Sequence, residues 1–289
     1  MTSVPPAPTK PSMDALDADA IRAQLPADAR ATFAAIEVVD EIDSTNSELL
    51  RRRTPTAGIV ALFAERQHGG RGRQGRAWAS PPGANLYLSL ARTFDGDFTR
   101  LGGLSLAVGV AVAETLHALG ARTVALKWPN DLVTDDGGTL RKLGGLLIEG
   151  GLQDGRPRAV IGLGLNVRMP AGAAAAIDQP WTDLDALLGD AALPRAIVAG
   201  RLLDALSAAL RSFDADGLRP FLPRYELFDA LRDLPVTAWI GEREVAGTAM
   251  GIDDDGALVL RTEAGLQPLR AGEVSVRRRA PSQDRPPQA

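Results

Sequence analysis

The chain has 289 residues, enough for one large domain or two smaller ones around a substantial core. Hydrophobic content of 45% and charged content of 24% are ordinary for a soluble globular protein, and a net charge of −4 makes any nucleic-acid-binding role depend on a local basic patch. Cysteine is absent, which excludes disulfides, thiol nucleophiles and Cys-zinc sites and fits a reducing compartment.

No apolar run is expected to span a membrane, and the first residues lack the basic-then-apolar layout of a signal peptide, so a cytoplasmic location is expected. Lysine occurs only at Lys10, Lys127 and Lys142, every other basic side chain being arginine. That bias reflects either codon usage alone or positions where a compact ammonium is needed.

In chain order, "MTSVPPAPTKPS" reads as a disordered tail. "MDALDADAIRAQLPADARATF" predicts one or two short helices interrupted at Pro26. "IEVVDEIDSTNSELLRRR" predicts a strand, a turn and a helix, with Ser44, Thr45 and Asn46 placed either to cap the helix or to bind a ligand. "GIVALFAERQ" is a buried strand leading into "HGGRGRQGR"; "SPPG" is a turn and "NLYLSLA" the next strand. "LGGLSLAVGVAVAETLHALG" predicts a core helix ending at Gly120, and "TVALKWPNDLV" a strand broken at Pro129. After the "DDGG" turn, "KLGGLLIEGG" and "RAVIGLGLNV" predict two paired strands. "MPAGAAAAIDQPW" predicts a mobile loop, and "PRAIVAGRLLDALSAALRSFDADG" and "LRPFLPRYELFDAL" predict helices. Beyond Asp233, five short strands separated by Gly- and Asp-rich turns predict a small β-barrel, and "APSQDRPPQA" a second disordered tail.

The Gly-Arg run carries chemistry. Gly70, Gly72 and Gly75 match G-x-G-x-x-G, but Pro81 and Pro82 forbid the helix that a dinucleotide fold needs next. Arg76 and Ala77 stand where a P-loop requires Lys and Ser/Thr. Arg66, Arg71, Arg73 and Arg76 fall close together with no acid after Glu65. Glycines expose backbone N–H groups and arginines grip phosphate oxygens, so the physical reading is an anion-binding loop, against the alternative of a solvated loop with no ligand.

"DSTN" at 43–46, "GGRGRQGRAWASPPGANLYLSL" at 69–90, "KWPND" at 127–131, "RKLGGLLIE" at 141–149 and "VIGLGLNV" at 160–167 occur in that order. Together they resemble the biotin–protein ligases, and the likeness runs from about Glu37 to Arg278. It implies an α+β fold: a mixed β-sheet with helices packed on it, class II synthetase-like, over residues 36–232, then an SH3-like β-barrel over 233–279. Residues 1–35 form a tail and short helical segment in this reading, and 280–289 a tail.

The resemblance implies activation of biotin by ATP to biotinyl-adenylate, with Mg²⁺ accompanying the triphosphate, then transfer to a lysine of a carboxylase biotin-carrier domain, that of acetyl-CoA carboxylase being expected. Lys142, Arg71, Arg73 and Asp131 are the implied catalytic residues. Asp131 would orient or deprotonate the incoming amine, or alternatively cap a turn after Pro129. Ser44, Thr45, Asn46, Gln67, Gly70, Gly72, Gly145 and Gly162 join Arg71, Arg73 and Lys142 around biotin. Arg76, Trp78, Asn130, Asn166 and Trp181 join Arg71, Arg73, Asp131 and Lys142 around ATP or the adenylate. No metal ligand is assigned to a protein side chain. Helix capping remains open for Asn46 and core packing for Trp78. Neither DNA nor membrane is an expected partner, and both monomer and homodimer fit. The rivals are a lipoate ligase with the same chemistry and a nucleic-acid binder using Arg51–Arg53 with the Gly-Arg loop.

Overall fold

The structure, a computed structural model, describes residues 14–174, 177–272 and 274–278. Both predicted tails, Lys10 and two residues of the Ala-rich segment lie outside that range. The described chain opens with two short helices, α1 (Ala18–Ala23) and α2 (Ala27–Arg30), separated by Pro26 as its missing N–H requires. Asp17 caps α1 by accepting from Ala20 N–H at 2.8 Å.

The next strands are β1 (Phe33–Ile42), β2 (Ile59–Gln67), β3 (Leu86–Thr93), β4 (Val124–Lys127), β5 (Asp131–Asp136), β6 (Thr139–Gln153) and β7 (Arg156–Leu165). They form one seven-stranded sheet in the order β1-β2-β3-β7-β6-β5-β4. β1 and β2 are parallel, joined through helix α3 (Thr45–Arg51); every other neighbouring pair is antiparallel, so the sheet is mixed.

The period-two alternation of strands explains how both faces are covered. Ala61, Phe63, Leu86, Leu88, Leu90, Ile161 and Leu163 enter the main core. Helix α4 (Leu104–Ala118) joins them there. Val60, Leu62, Ala91 and Val160 point the other way and close with Leu49 of α3 into a smaller cluster. Because α3 covers the middle of the sheet, its first turn lies over the row where Leu62, Ser89 and Gly162 are register partners. Phe98–Ala118 is long and apolar enough to cross a membrane by length and composition, contrary to the sequence expectation. The apolar side chains of α4 instead form the centre of the main core.

Helix α5 (Ala171–Ala174) opens the Ala-rich segment, which was expected to be loop throughout; α6 (Leu184–Leu188) follows it. Helix α7 (Arg195–Asp216) packs on α4 and receives Ile21, Leu25 and Ala29 of the N-terminal segment into the same core. Of the last predicted helix only a 3₁₀ turn and α8 (Leu222–Glu226) form, because Pro220 and Pro223 each remove a helical donor. The "TVALKWPNDLV" segment turns back at Trp128–Asn130 and becomes the antiparallel pair β4–β5.

Strands β8 (Pro235–Ile240), β9 (Arg243–Ile252), β10 (Leu258–Thr262), β11 (Gly265–Leu269) and β12 (Val274–Arg278) make a second, antiparallel sheet in the order β11-β10-β9-β8-β12. It shares the main core through Val236, Ala238, Leu258 and Leu260. At the contact, buried Trp128 donates its indole N–H to the Gly256 carbonyl at 3.0 Å. Gly256 has φ +79, and a Cβ there would lie 2.8 Å from Leu106 and 2.9 Å from Leu218, so only glycine fits this turn. The second sheet is thereby fixed beside "KWPND".

One buried charge cluster was not foreseen. Arg195, wholly buried, grips both Glu65 carboxylate oxygens at 2.8 and 3.0 Å and donates to the Asp14 carbonyl at 2.6 Å. Leu16 N–H adds a 2.6 Å bond to Glu65. The cluster ties the N-terminal segment to the end of β2. Removing one partner of a buried pair strands the other, so Arg195→Ala should lower stability by about 3–5 kcal/mol in urea unfolding. A loss below about 1 kcal/mol, the range of a surface pair, would contradict this assignment.

Candidate active site

Two groups of side chains meet on one face of the large sheet. The first surrounds the start of α3. Ser44 is its N-cap, accepting from Ser47 N–H at 3.4 Å, so the capping alternative belongs to Ser44 and not to Asn46. Thr45 and Asn46, both buried, turn toward the sheet instead. Thr45 donates its N–H to Gln67 Oε1 at 2.9 Å. Asn46 Nδ2 donates to the Leu147 carbonyl at 3.2 Å and to Glu149 at 2.9 Å. Ser89 lies 2.7 Å from Thr45 Oγ1 and 2.6 Å from Asn46 Oδ1. Gly162 makes room: a Cβ there would sit 2.5 Å from Asn46 Oδ1. Gly70 does the same for Gln67, whose Nε2 would be 3.0 Å from an added Cβ.

The second group is charged. β4 and β5 pair Lys127 with Asp131, and β5 and β6 pair Asp131 with Gly145. Lys142 reaches across Gly145 to Asp131 Oδ1 at 2.7 Å, while Lys127 lies 3.8 Å from Oδ2. A Cβ on Gly145 would crowd the Lys142 ammonium at 3.3 Å. Both lysines of the described chain therefore converge on one carboxylate, and the turn-capping alternative for Asp131 falls away. Burial pulls the Lys127 ammonium below its usual range, and the cations of Lys142, Arg277 and Arg76 add to the shift while Asp131 opposes it. Trp78 packs its ring over Gly164, where a Cβ would come within 2.5 Å, and lies 5.4 Å from the Lys142 ammonium, close enough for cation–π attraction.

The Gly-Arg loop joins the groups. It folds back through an Arg71–Ala77 bridge, with Gly72 N–H on the Arg76 carbonyl at 2.7 Å and left-handed backbone at Gln74 and Gly75. Arg71 donates to Ser47 Oγ at 3.1 Å and lies 3.6 Å from Glu149. Arg73 donates to Asn130 Oδ1 at 3.2 Å, to the carbonyl of Gly272 before β12, and to that of Val274, the first residue of β12. Asn130 is itself fixed by donating to the Leu146 carbonyl at 2.7 Å. Arg76 is exposed, and its guanidinium donates to the Gln74 side chain at 3.4 Å.

Behind Lys142, Pro180 and Thr182 bracket its backbone with bonds of 2.9 Å each, bringing Trp181 alongside. Asn166, buried, donates to the Thr182 carbonyl at 3.1 Å and stitches the same place. Ser89, Glu149 and the Lys127–Asp131 contact were missed by sequence reasoning. A serine inside the apolar run "NLYLSLA" and an acid closing "KLGGLLIE" were the available signals. Arg51, Arg52 and Arg53, the rival nucleic-acid patch, are paired with Asp43 and Glu48, with Glu37 and Glu48, and with Asp154. His68 meets Glu41 at 2.9 Å on the surface.

Comparison with known proteins agrees with this geometry. Residues 36–166 match the biotin/lipoate A/B protein ligase family, and residues 235–277 the biotin protein ligase C-terminal domain. The bifunctional ligase/repressor BirA of Salmonella typhimurium is 40% identical over 263 residues, covering 91% of this chain and 78% of its own. The biotin–[acetyl-CoA-carboxylase] ligase of Mycobacterium tuberculosis is 36% identical, covering 83% of this chain and 88% of its own. The Aquifex aeolicus biotin protein ligase, solved in complex with biotin and ATP, superposes with a TM-score of 0.71 at 28% identity, covering 86% of this chain and all of that one. The chain belongs to the biotin–protein ligase family.

The methyl of Gly162→Ala displaces Asn46. The variant is expected to keep its melting temperature within about 4 °C while biotin affinity, measured by calorimetry, falls by about tenfold. Wild-type affinity in the folded variant would show that the Asn46 position is not needed.

Proposed function

We propose that the two groups of side chains divide the two-step reaction of a biotin–protein ligase between them. In the first step a biotin carboxylate oxygen attacks the α-phosphorus of ATP, the bond to the bridging oxygen breaks, and pyrophosphate leaves. In the second a carrier lysine amine attacks the mixed-anhydride carbonyl, loses a proton, and AMP leaves. The observation that carries the assignment is the Lys142–Asp131 pair at 2.7 Å, set between the Gly-Arg loop and the α3 cluster.

An anionic acid approaching a triphosphate is repelled unless fixed cations offset both charges. Lys142 supplies the central one, spanning the biotin carboxylate and the α-phosphate. Arg71, beside Ser47, serves the biotin end, and Arg73, beside Asn130, the phosphate end, with Arg76 at the rim. Once Lys142 turns to substrate, Asp131 is free to accept the proton of the incoming amine. Thr45, Asn46 and Gln67 receive the ureido ring in a pocket closed by Gly70 and Gly162, and Ser44 holds the helix that presents them. Trp78 walls the site, and Trp181, held by the Lys142 backbone and Asn166, covers the nucleotide.

Mg²⁺ would enter with the triphosphate and offset its charge. Among the described residues no group of three or more His, Asp or Glu side chains could hold a metal ion, and no protein ligand is assigned to it. The carrier is the biotin-accepting domain of a carboxylase, that of acetyl-CoA carboxylase in this reading.

The direct test incubates the protein with ATP, biotin and a purified biotin-carrier domain and follows the mass of the carrier. One added biotin on a single lysine is expected. Lys142→Ala should lower adenylate formation by about a hundredfold or more with the fold retained; near-normal formation would refute the lysine assignment. Arg73→Gly removes the bond between the loop, Asn130 and the second sheet, so bound adenylate should escape faster in a single-turnover trap. Unchanged retention would count against that role.

A further inference from the structure

Ser89 sits in the middle of β3 with no solvent exposure. A buried hydroxyl needs partners, and this one has two oxygens within reach: Asn46 Oδ1 at 2.6 Å and Thr45 Oγ1 at 2.7 Å. Thr45 Oγ1 is in turn 3.1 Å from Gln67 Oε1. Four oxygens, on Asn46, Ser89, Thr45 and Gln67, thus follow one another through three contacts of hydrogen-bond length.

The protons in this run are countable. Asn46 Nδ2 faces two acceptors, the Leu147 carbonyl and the Glu149 carboxylate, so its amide oxygen is the atom facing Ser89. Gln67 Oε1 accepts the Thr45 N–H, and its Nε2 faces Ser80 Oγ at 3.4 Å, so its oxygen faces the Thr45 hydroxyl. Both ends of the run are acceptors only. Ser89 and Thr45 hold one hydroxyl proton each. Asn46 Oδ1 takes the Ser89 proton. The Thr45 proton then serves either Ser89 or Gln67, and the remaining contact is oxygen against oxygen with no proton between.

We propose that Ser89 is a positioning residue that leaves this cluster one donor short, so that the pocket selects an acid whose head group brings N–H donors to Thr45 and Gln67. The inference rests on the biotin reading above and deepens it. A cyclic urea carries two N–H groups and fills the deficit. A dithiolane ring carries none and leaves it open, which separates biotin from lipoate at the same site. Glu149 takes part by fixing the Asn46 amide, since without that acceptor the amide could rotate and offer Ser89 a donor.

The test is biotin-dependent ATP–pyrophosphate exchange by the full chain, using biotin and biotin methylated at either ureido nitrogen. In Ser89→Ala the Thr45 proton goes to Gln67, so no proton-free contact is left at Thr45 and Gln67 and the open acceptor moves to Asn46 Oδ1. The KM for biotin should rise by about tenfold, with kcat and the KM for ATP within about twofold of wild type. The preference for biotin over its N-methyl analogues should fall by about tenfold at the same time. Ser89→Cys, which keeps a side chain of similar size with a weaker donor, should move both quantities the same way by less, and serves if the alanine variant does not fold. An unchanged biotin KM and unchanged preference in a folded variant would overturn the role of Ser89, as would equal losses with biotin and the analogues. Wild-type protein giving no exchange with biotin would overturn the underlying reading, and this inference with it.

Discussion

The site depends on one carboxylate held between two ammonium groups. Asp131 opens β5 opposite Lys127 and receives Lys142 from β6 at 2.7 Å. Burial pulls the Lys127 ammonium below its usual range, Asp131 opposes that shift, and the cations of Lys142, Arg277 and Arg76 add to it. Such a concentration of positive charge is unfavourable without anions, and a single aspartate offsets only part of it. On the proposed function, a nucleoside triphosphate and a second acid supply the remaining negative charge.

Elements far apart in the chain are arranged around that pair. The β4–β5 turn places Lys127, Asn130 and Asp131 together, and the buried Trp128 in the same turn bonds to the second sheet. Arg73 bonds to both, through Asn130 and through the carbonyls of Gly272 and Val274. The Gly-Arg loop is thus held by the second sheet as well as by the large one. In the proposed reaction its Arg73 exchanges these carbonyl partners for phosphate oxygens when a nucleotide binds. On that proposal the second sheet takes part in holding the loop for the reaction, beyond covering the core.

Much of this was legible in the sequence because local chemistry dictated it. Pro26 separates α1 from α2, the apolar run after Gly103 becomes α4, and Gly70 to Gly75 form a folded-back loop that no helix follows. The motifs carrying Lys142 and Asp131 meet at 2.7 Å, and Arg73 of the Gly-Arg loop meets Asn130 at 3.2 Å. What could not be read depends on contacts between distant segments. Arg195 meets Glu65 across 130 positions, Asn46 meets Glu149 across 103, and Arg73 meets Val274 across 201. The backward turn at "KWPND" was read as one broken strand because periodicity does not encode pairing direction. The serine within "NLYLSLA" marks a polar group in a buried strand, but its partners Thr45 and Asn46 lie more than forty positions away.

The most direct measurement is ATP–pyrophosphate exchange by the purified protein with biotin, with lipoate and with no acid, run in parallel. The account predicts exchange that requires biotin and is absent with lipoate. Exchange supported by lipoate and not by biotin, or by neither acid, would contradict it.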